Sequence, residues 1–281
     1  MKTRVLVLFT RTPLHVGAGP SVGAIDQPII RERHTAFPVI PGSAVKGVLR
    51  DYAAAAEDLR ECVDALFGHE PKSGDDPGKL YAGTLGFGEA RLLAFPLRSA
   101  KGSFALATCP LALSRYARDA ELVIDIPAVK DEECLAGKDI TLDEGEVALE
   151  EYVFSSKGYF PGAWAERLSS LIDDAVLKAA KDRFVLLSEG DFSHFALNAC
   201  QVRHHNRIGD ETGTVADGAL FNTETVPSET LFYVPLTAIR SGSDDNPLFR
   251  HFAERERLLQ FGGDATTGLG FCAVKLLKEG K

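Results

Sequence analysis

A single carboxylate, Asp26, precedes a cluster of basic residues in the segment SVGAIDQPIIRERH, residues 21–34. Such a carboxylate can hold a divalent metal ion, or it can orient a 2′-hydroxyl for attack on the adjacent phosphodiester, and both are routes to RNA cleavage. His15 lies upstream in PLHVGAGP, and histidine is the side chain best suited to proton transfer near neutral pH. An isolated loop Asp is more often a cap or an ion-pair partner, so the residue types alone leave both interpretations of Asp26 open.

A candidate anion site lies at the start of a predicted helix. The sequence IPGSAVKGVLR predicts a helix over residues 43–57, with Ser43 as its N-cap. Free N–H groups at a helix N-terminus attract phosphate, and Gly42 would allow a ligand to approach closely. Lys46 and Arg50 lie one turn apart on one face. The spacing is not that of a Walker A loop, and a capped helix with a solvated basic face is the alternative.

Two further basic segments could follow a sugar–phosphate backbone. Arg31 and Arg33 alternate in a segment that we expect to be extended, so both side chains should point to one side. The segment CQVRHHNRIGDETGTVADGALF predicts a projecting hairpin whose first strand carries Arg203, His204 and Arg207. His204 could stack on a base. The alternatives are exposed charge on an edge strand and an ordinary surface hairpin.

A glycine-rich loop, FGGDATTGLGF, offers backbone N–H groups that could bind phosphate. It precedes a predicted strand rather than a helix, so it does not fit a dinucleotide-binding fold. The candidate RNA-binding residues of this loop are Gly262, Gly263, Thr266, Thr267 and Gly268.

The formal net charge of −9 does not exclude a nucleic-acid partner, because the acidic residues are concentrated in one segment. Twelve Asp and Glu but only two Lys lie between residues 119 and 151, so the rest of the chain is close to neutral. Since salt screens charges beyond about 10 Å, local patches decide binding. We expect the acidic segment to be a solvated face, or an insertion that contacts a basic neighbour.

The composition indicates an ordinary globular protein, with 45% hydrophobic and 25% charged residues. The longest apolar runs, VLVLF and FVLL, have the length of core strands, so we expect no membrane span. The five cysteines are scattered without zinc spacing, which is typical of core residues in a reducing compartment. The sequence therefore predicts a cytoplasmic protein without structural zinc.

The elements that must position these residues favour an α+β fold with an antiparallel sheet, because strands and helices do not alternate as βαβ units. Strands are predicted over residues 3–9, 84–95, 103–109, 183–189, 200–208, 230–239 and 271–277. Helices are predicted over residues 43–57, 164–181, 191–199 and 246–260.

The order of these motifs resembles that of a known family. The stretch LHVGAGPSVGAIDQPIIRERHTAFPVIPGSAVKGVLR is similar to the N-terminal signature of the RAMP superfamily, and within it to the repeated backbone subunits of type III-B CRISPR (Cmr) effector complexes. The stretches GFGEARLLAFPLRSAKGSFALATCPLALSRY, DETGTVADGALF and GGDATTGLGF follow in the order of those subunits. The resemblance covers most of the chain, and residues 119–151 and 163–181 contribute least to it.

The resemblance implies one ferredoxin-like, RRM-related palm over residues 1–281, elaborated by an acidic and helical insertion at about 119–181 and a thumb hairpin at about 201–225. It implies an RNA-guided endoribonuclease whose copies stack along a guide RNA together with other Cmr subunits. The thumb would interrupt the guide–target duplex at regular intervals. A displaced nucleotide allows its 2′-hydroxyl to align with the adjacent phosphate, which a regular duplex prevents.

The same resemblance implies roles for individual residues. It assigns target-RNA cleavage to Asp26, assisted by His15, with a divalent metal at Asp26, either Mg²⁺ or Mn²⁺. It places Gly42, Ser43 and Lys46 at the guide-binding helix start, and the glycine-rich loop near the RNA.

The chain departs from the family pattern at two places. Glu89 stands where Asp is expected, and Asn222 and Thr223 stand where acids are common, so that Glu224 is the nearest candidate for a second acid. Three other functions stay open: a backbone subunit that only holds the guide–target duplex, a guide-processing nuclease that acts alone, and an enzyme of phosphorylated metabolites. The intact GAID loop argues against the first of these.

Overall fold

The structure is a computed structural model that describes residues 2–21, 23–69, 81–206, 208, 215, 220–239 and 246–277. Its strands are β1 (Lys2–Thr10), β2 (Val39–Ile40), β3 (Leu85–Phe87), β4 (Ala90–Ser99), β5 (Ser103–Thr108), β6 (Glu133–Ala136), β7 (Glu146–Leu149), β8 (Tyr152–Tyr159), β9 (Phe184–Leu186), β10 (Gln201–His205), β11 (Phe221–Thr225), β12 (Leu231–Ala238), β13 (Arg257–Gln260) and β14 (Phe271–Leu276). Its helices are α1 (Gly42–Ala55), α2 (Val63–Phe67), α3 (Pro110–Asp119), α4 (Gly162–Ser169), α5 (Ala175–Ala179), α6 (Glu189–Asn198) and α7 (Pro247–Glu254).

The centre of the fold is an antiparallel sheet in the order β14-β1-β12-β4. Strand β1 carries the apolar run VLVLF and is buried on both faces, which explains why it does not alternate between apolar and polar residues. Leu6 and Leu8 pack into one core cluster, whereas Val5, Val7 and Phe9 pack into the other.

Helices cover both faces of this sheet. Leu49 of α1 and Phe252 of α7 belong to the core cluster on one side. Leu113 of α3 and Trp164 of α4 belong to the cluster on the other side. Neither face of the central sheet is therefore open to a ligand.

The remaining strands close into a ring beside the central sheet. They continue from β4 in the order β5-β9-β6-β8-β7, and the pairing of Ser99 with Leu149 brings β7 back to β4. Strands β6 and β7 lie within the acidic segment 119–151, and their inner residues, such as Cys134 and Val147, are buried. The expectation that this segment is only a solvated face is therefore wrong, because it supplies part of the sheet.

Two predicted helices end earlier than the sequence suggests. The helix predicted over 164–181 is split into α4 and α5, because Asp174 accepts the N–H groups of Val176 and Leu177 and begins a new helix. The helix predicted over 246–260 ends at Glu254, and β13 then pairs with β14. No helix among the described residues is long and apolar enough to cross a lipid bilayer.

Thiol reactivity provides a test of this core. Burial raises the pKa of Cys109, Cys134 and Cys272 to about 12, so only about 1 in 10⁴ of these thiols is ionised at pH 8. We expect iodoacetamide at pH 8 to modify the half-buried Cys62 in the native protein, and to modify these three only after denaturation. Mass spectrometry of the labelled peptides measures this. Equal labelling of all the cysteines in the native protein would contradict the fold.

Candidate active site and nucleic-acid interface

The loop that carries Asp26 is joined to β11 by reciprocal hydrogen bonds. The backbone N–H of Asp26 donates to Oδ1 of Asn222 (2.8 Å), and the backbone N–H of Asn222 donates to Oδ2 of Asp26 (2.8 Å). Nδ2 of Asn222 donates to the carbonyl of Ala24 (3.3 Å), and the carbonyl of Asn222 accepts from the N–H of Gln27 (3.1 Å). The side chain of Asp26 is exposed. The loop therefore presents a carboxylate to solvent from a backbone that is fixed to the hairpin strand.

Glu224 lies two residues further along β11 and connects several parts of the N-terminal segment. Its Oε1 pairs with Arg31, and its Oε2 accepts the backbone N–H of Ile29 (3.0 Å). Its backbone N–H donates to the carbonyl of Gln27 (3.0 Å), and its carbonyl accepts a hydrogen bond from Nδ1 of His15 (2.7 Å). Glu224 is only 5% exposed. The carboxylate of Glu224, the nearest candidate for a second acid, is therefore buried and paired within the fold.

Arg31 is not the surface cation that the sequence suggested. Its guanidinium is 13% exposed, and its Nη1 donates to the carbonyls of Ala36 (2.8 Å) and Ala196 (2.6 Å). Ala196 lies in the last turn of α6, where backbone carbonyls carry partial negative charge. Arg33, by contrast, is exposed in a turn. The two arginines do not point to one side, because the chain is not extended through both.

A second ion pair holds this turn. Glu32 accepts hydrogen bonds from Thr35 (2.6 Å) and from Nη1 of Arg115 on α3 (2.9 Å). Burial raises the pKa of Glu32, but the hydrogen bonds from Thr35 and Arg115 outweigh burial and lower the pKa below its usual value. The pair anchors the turn to α3, while Arg33 and His34 are left at the surface.

His15 is 8% exposed and lies between β11 and the glycine-rich loop. Since a carbonyl oxygen can only accept, Nδ1 carries a proton in the hydrogen bond to Glu224, and Nε2 is the ring nitrogen that this bond does not use. The ring packs against Gly17, where an added Cβ would come within 2.9 Å of Nε2. The backbone carbonyl of His15 accepts from the N–H of Gly263 (2.9 Å).

The glycine-rich loop is exposed from Gly262 to Thr267. Its geometry requires glycine at position 262, where φ is +76° and an added Cβ would lie 2.1 Å from the carbonyl oxygen of His15. The N–H of Gly263 is bonded to His15, and those of Thr267 and Gly268 are bonded within the loop. These three N–H groups are therefore not available to phosphate as the sequence suggested, whereas Thr266 is exposed.

Helix α1 begins at Gly42, with Pro41 as its N-cap residue and no side-chain cap, so Ser43 is not the N-cap that the sequence predicted. Gly42 serves close packing, because an added Cβ would lie 2.4 Å from the carbonyl oxygen of Phe87. Ser43 and Lys46 are exposed. Arg50 is half-buried and donates to the carbonyl of Gly68 (2.6 Å) and to Asp64 (3.0 Å), so it ties α1 to α2.

The hairpin strands β10 and β11 pair in an antiparallel register that sets His204 opposite Asn222. Arg203 is half-buried and His204 is exposed. The rings of His205 and Phe221 stack with their centroids 4.9 Å apart.

Arg207 lies outside the described residues. Glu89, between β3 and β4, is exposed.

The described residues do not form a cage for a metal ion, since no three of their His, Cys, Asp and Glu side chains come together. The exposed carboxylate of Asp26 is a suitable oxygen ligand for Mg²⁺, which commonly takes one or two protein carboxylates and completes its shell with water and phosphate. Among the described residues of this loop, Asp26 would therefore supply one carboxylate ligand, with the rest of the shell left to water and phosphate.

The chain belongs to the RAMP superfamily, whose family model matches residues 8–273. It is 35% identical to the CRISPR system Cmr endoribonuclease Cmr4 of Pyrococcus furiosus, over 98% of this chain and 96% of that protein. The fold is similar to that of oligomeric Cmr4 from Pyrococcus furiosus, with a TM-score of 0.75 and 30% identity over 98% of each chain. A chain in the structure of the type III-B Cmr-beta complex bound to cognate target RNA has a TM-score of 0.76 over 98% of this chain and 97% of that one, at 19% identity, which shows likeness of fold. The resemblance and the α+β class that the sequence indicated are confirmed.

The Arg31–Glu224 pair can be tested by stability measurements. Removing one member leaves a buried charge without its partner, so we expect Glu224→Ala to lower the free energy of unfolding by about 3–5 kcal/mol. The double variant Arg31→Met/Glu224→Leu should lose less free energy of unfolding than the summed losses of the single variants Arg31→Met and Glu224→Leu. Urea unfolding measures each value, with the exposed Glu144→Ala as the control. A loss for Glu224→Ala equal to that of the control would contradict the role of this pair.

Proposed function

We propose that the chain is the repeated guide-RNA-binding backbone subunit of a type III-B CRISPR effector complex and that it cleaves complementary target RNA at regular intervals. The observation that carries the proposal is the exposed Asp26, which is hydrogen-bonded to a hairpin strand in a chain 35% identical to an endoribonuclease over almost its full length. The partners would be guide RNA, target RNA, further copies of this chain and other Cmr subunits. The five free cysteines suit a reducing cytoplasm.

The strand order supports a ferredoxin-like palm. In the order β14-β1-β12-β4, helix α1 follows β1 and helix α7 precedes β14, which is the order of a βαββαβ unit with a long insertion between β4 and β12. Because helices cover both faces of the palm sheet, RNA would be bound by loops and by the hairpin rather than on the sheet. The β10–β11 pair would be the base of the thumb.

The arrangement of Asp26 and His15 supports attack by a 2′-hydroxyl on the adjacent phosphate. Asp26 would accept the proton of that hydroxyl, while Nε2 of a protonated His15 would donate a proton to the leaving 5′-oxygen, which yields a 2′,3′-cyclic phosphate and a 5′-hydroxyl. A divalent metal at Asp26, Mg²⁺ or Mn²⁺, would stabilise charge on the phosphate. The anchoring of both residues to β11 would keep their spacing constant.

One observation favours a second candidate, a backbone subunit that holds the guide–target duplex without cleaving it. The described residues offer one exposed carboxylate at the loop and no metal cage. That candidate and the nuclease make opposite predictions for the Asp26 variant.

The cleavage proposal is tested with Asp26→Asn. In a complex assembled with guide RNA and given a labelled complementary target in Mg²⁺, the wild type should cut at evenly spaced sites. The variant should cut at least about 100-fold more slowly with unchanged target binding, since a proton-transfer group contributes about 10²–10⁴ in rate. Asp143→Asn, an exposed Asp in the acidic segment, is the matched control. Cleavage that survives in Asp26→Asn would leave this chain as a scaffold.

The role of Lys46 in guide binding is tested by salt dependence. A lysine that neutralises one phosphate releases one counterion, so Lys46→Gln should reduce the slope of log K against log[salt] by about 0.7–0.9 per bound subunit. Guide-RNA binding is measured between 50 and 300 mM KCl, and Lys138→Gln, an exposed lysine that pairs with Asp182, is the control. An unchanged slope for Lys46→Gln would remove Lys46 from the guide interface.

A further inference from the structure

We propose that Asn222 is a positioning residue that fixes the Asp26 carboxylate at a set place relative to the hairpin. This inference rests on the proposed function, since it concerns how the cleaving group is held. Asn222 itself does not enter the reaction, and it acts through Asp26.

Asn222 uses every polar group it has on the Asp26 loop. Its backbone N–H bonds to the Asp26 carboxylate, its Oδ1 accepts from the Asp26 backbone, its Nδ2 donates to Ala24, and its carbonyl accepts from Gln27. Thr223 adds a contact from its hydroxyl to Oε1 of Gln27 (3.2 Å). An exposed loop is thus held at four points by one residue of a strand.

The amide of asparagine is chemically suited to this place. It accepts from Asp26 through Oδ1 and donates to Ala24 through Nδ2, whereas an ionised carboxylate can only accept. A carboxylate at position 222 would face the carbonyl of Ala24 and would put a second negative charge beside Asp26. Like charges held together make ionisation of both groups harder. A neutral amide therefore makes both loop contacts without placing a second negative charge beside Asp26.

The consequence is that the Asp26 loop and the hairpin move as one unit. Asn222 sits opposite His204 in the hairpin, so a nucleotide displaced by the hairpin would meet a carboxylate whose position the same hairpin determines. A displacement of about 1 Å of a reacting group can cost about 10²-fold in rate. The position of Asn222 therefore controls the rate of cleavage and not the affinity for RNA.

The test compares Asn222→Ala and Asn222→Asp with wild type and Asp26→Asn in the assembled, guide-loaded complex. Single-turnover cleavage at saturating target should fall about 10- to 100-fold in Asn222→Ala, with target Kd within about twofold of wild type. Asn222→Asp keeps the acceptor for the Asp26 N–H but loses the donor to the carbonyl of Ala24, so it should bind target normally and cleave more slowly than wild type. The nearby titratable groups, His15, His204 and Glu224, are unchanged in these variants. Asn198→Ala, an exposed asparagine at the end of α6, is the control.

A second measurement does not depend on activity. Hydrogen exchange of the backbone amides of residues 24–27 should become faster in Asn222→Ala and stay as in wild type in Asn198→Ala, because only the first variant removes the loop contacts. If Asn222→Ala fails to assemble, the single-turnover cleavage rate and target Kd of Asn222→Asp decide.

Three results would overturn the inference. Wild-type cleavage in Asn222→Ala, while Asp26→Asn is inactive, would refute the role of Asn222 and leave the proposed function standing. Equal losses of binding and cleavage in Asn222→Ala would make Asn222 a residue of the RNA interface. Wild-type cleavage in Asp26→Asn would refute the proposed function, and the inference with it.

Discussion

The candidate site depends on one buried ion pair, between Arg31 and Glu224. The guanidinium also satisfies carbonyls of Ala36 and of Ala196 in α6, and the carboxylate also satisfies the N–H of Ile29. A buried pair is weak evidence for stability, since desolvation offsets much of the attraction, but breaking it is costly. Its effect here is geometric, because it ties the N-terminal segment, α6 and β11 to one another. The segment that carries Asp26 is therefore held against β11 through Arg31 and Ile29.

Strand β11 holds both the Asp26 loop and His15. Asn222 bonds to the Asp26 loop, and two residues later Glu224 bonds to His15 and Arg31. Residues separated by two in a strand keep a fixed spacing and point to the same face. Both the candidate base and the candidate acid are therefore anchored to β11, which constrains the distance between them. The glycine-rich loop joins the same unit through the bond from Gly263 to His15.

The parts of the fold that local patterns determine could be predicted from the sequence. The apolar run of β1 and the apolar face of α1 each indicate a buried element, and both elements lie close to their predicted positions. The basic cluster after Asp26 drew attention to this residue, but only the resemblance of its loop to the RAMP signature assigned it a role in cleavage. Its partner Asn222 lies almost 200 residues away, and no local signal pairs the two positions. The same holds for Arg31. Its basic neighbours in the sequence suggested a surface patch, but in the fold it pairs with the distant Glu224.

Because Arg31 and Arg50 are paired within the fold, fewer cations are exposed on the N-terminal segment to bind RNA than its sequence suggests. Arg31 and Arg50 are engaged in ion pairs within the fold, so Arg33 and Lys46 are the exposed cations of the set that we singled out on the N-terminal segment. Each neutralised phosphate adds only a modest, salt-sensitive contribution to affinity, and the chain carries a net charge of −9. A single copy would therefore bind RNA weakly. In the proposed assembly, many copies on one guide would gain affinity from multivalency, because each bound copy would raise the effective concentration of the next. A few exposed cations per subunit would be enough for such an assembly, while Arg31 ties the N-terminal segment to β11 and Arg50 ties α1 to α2.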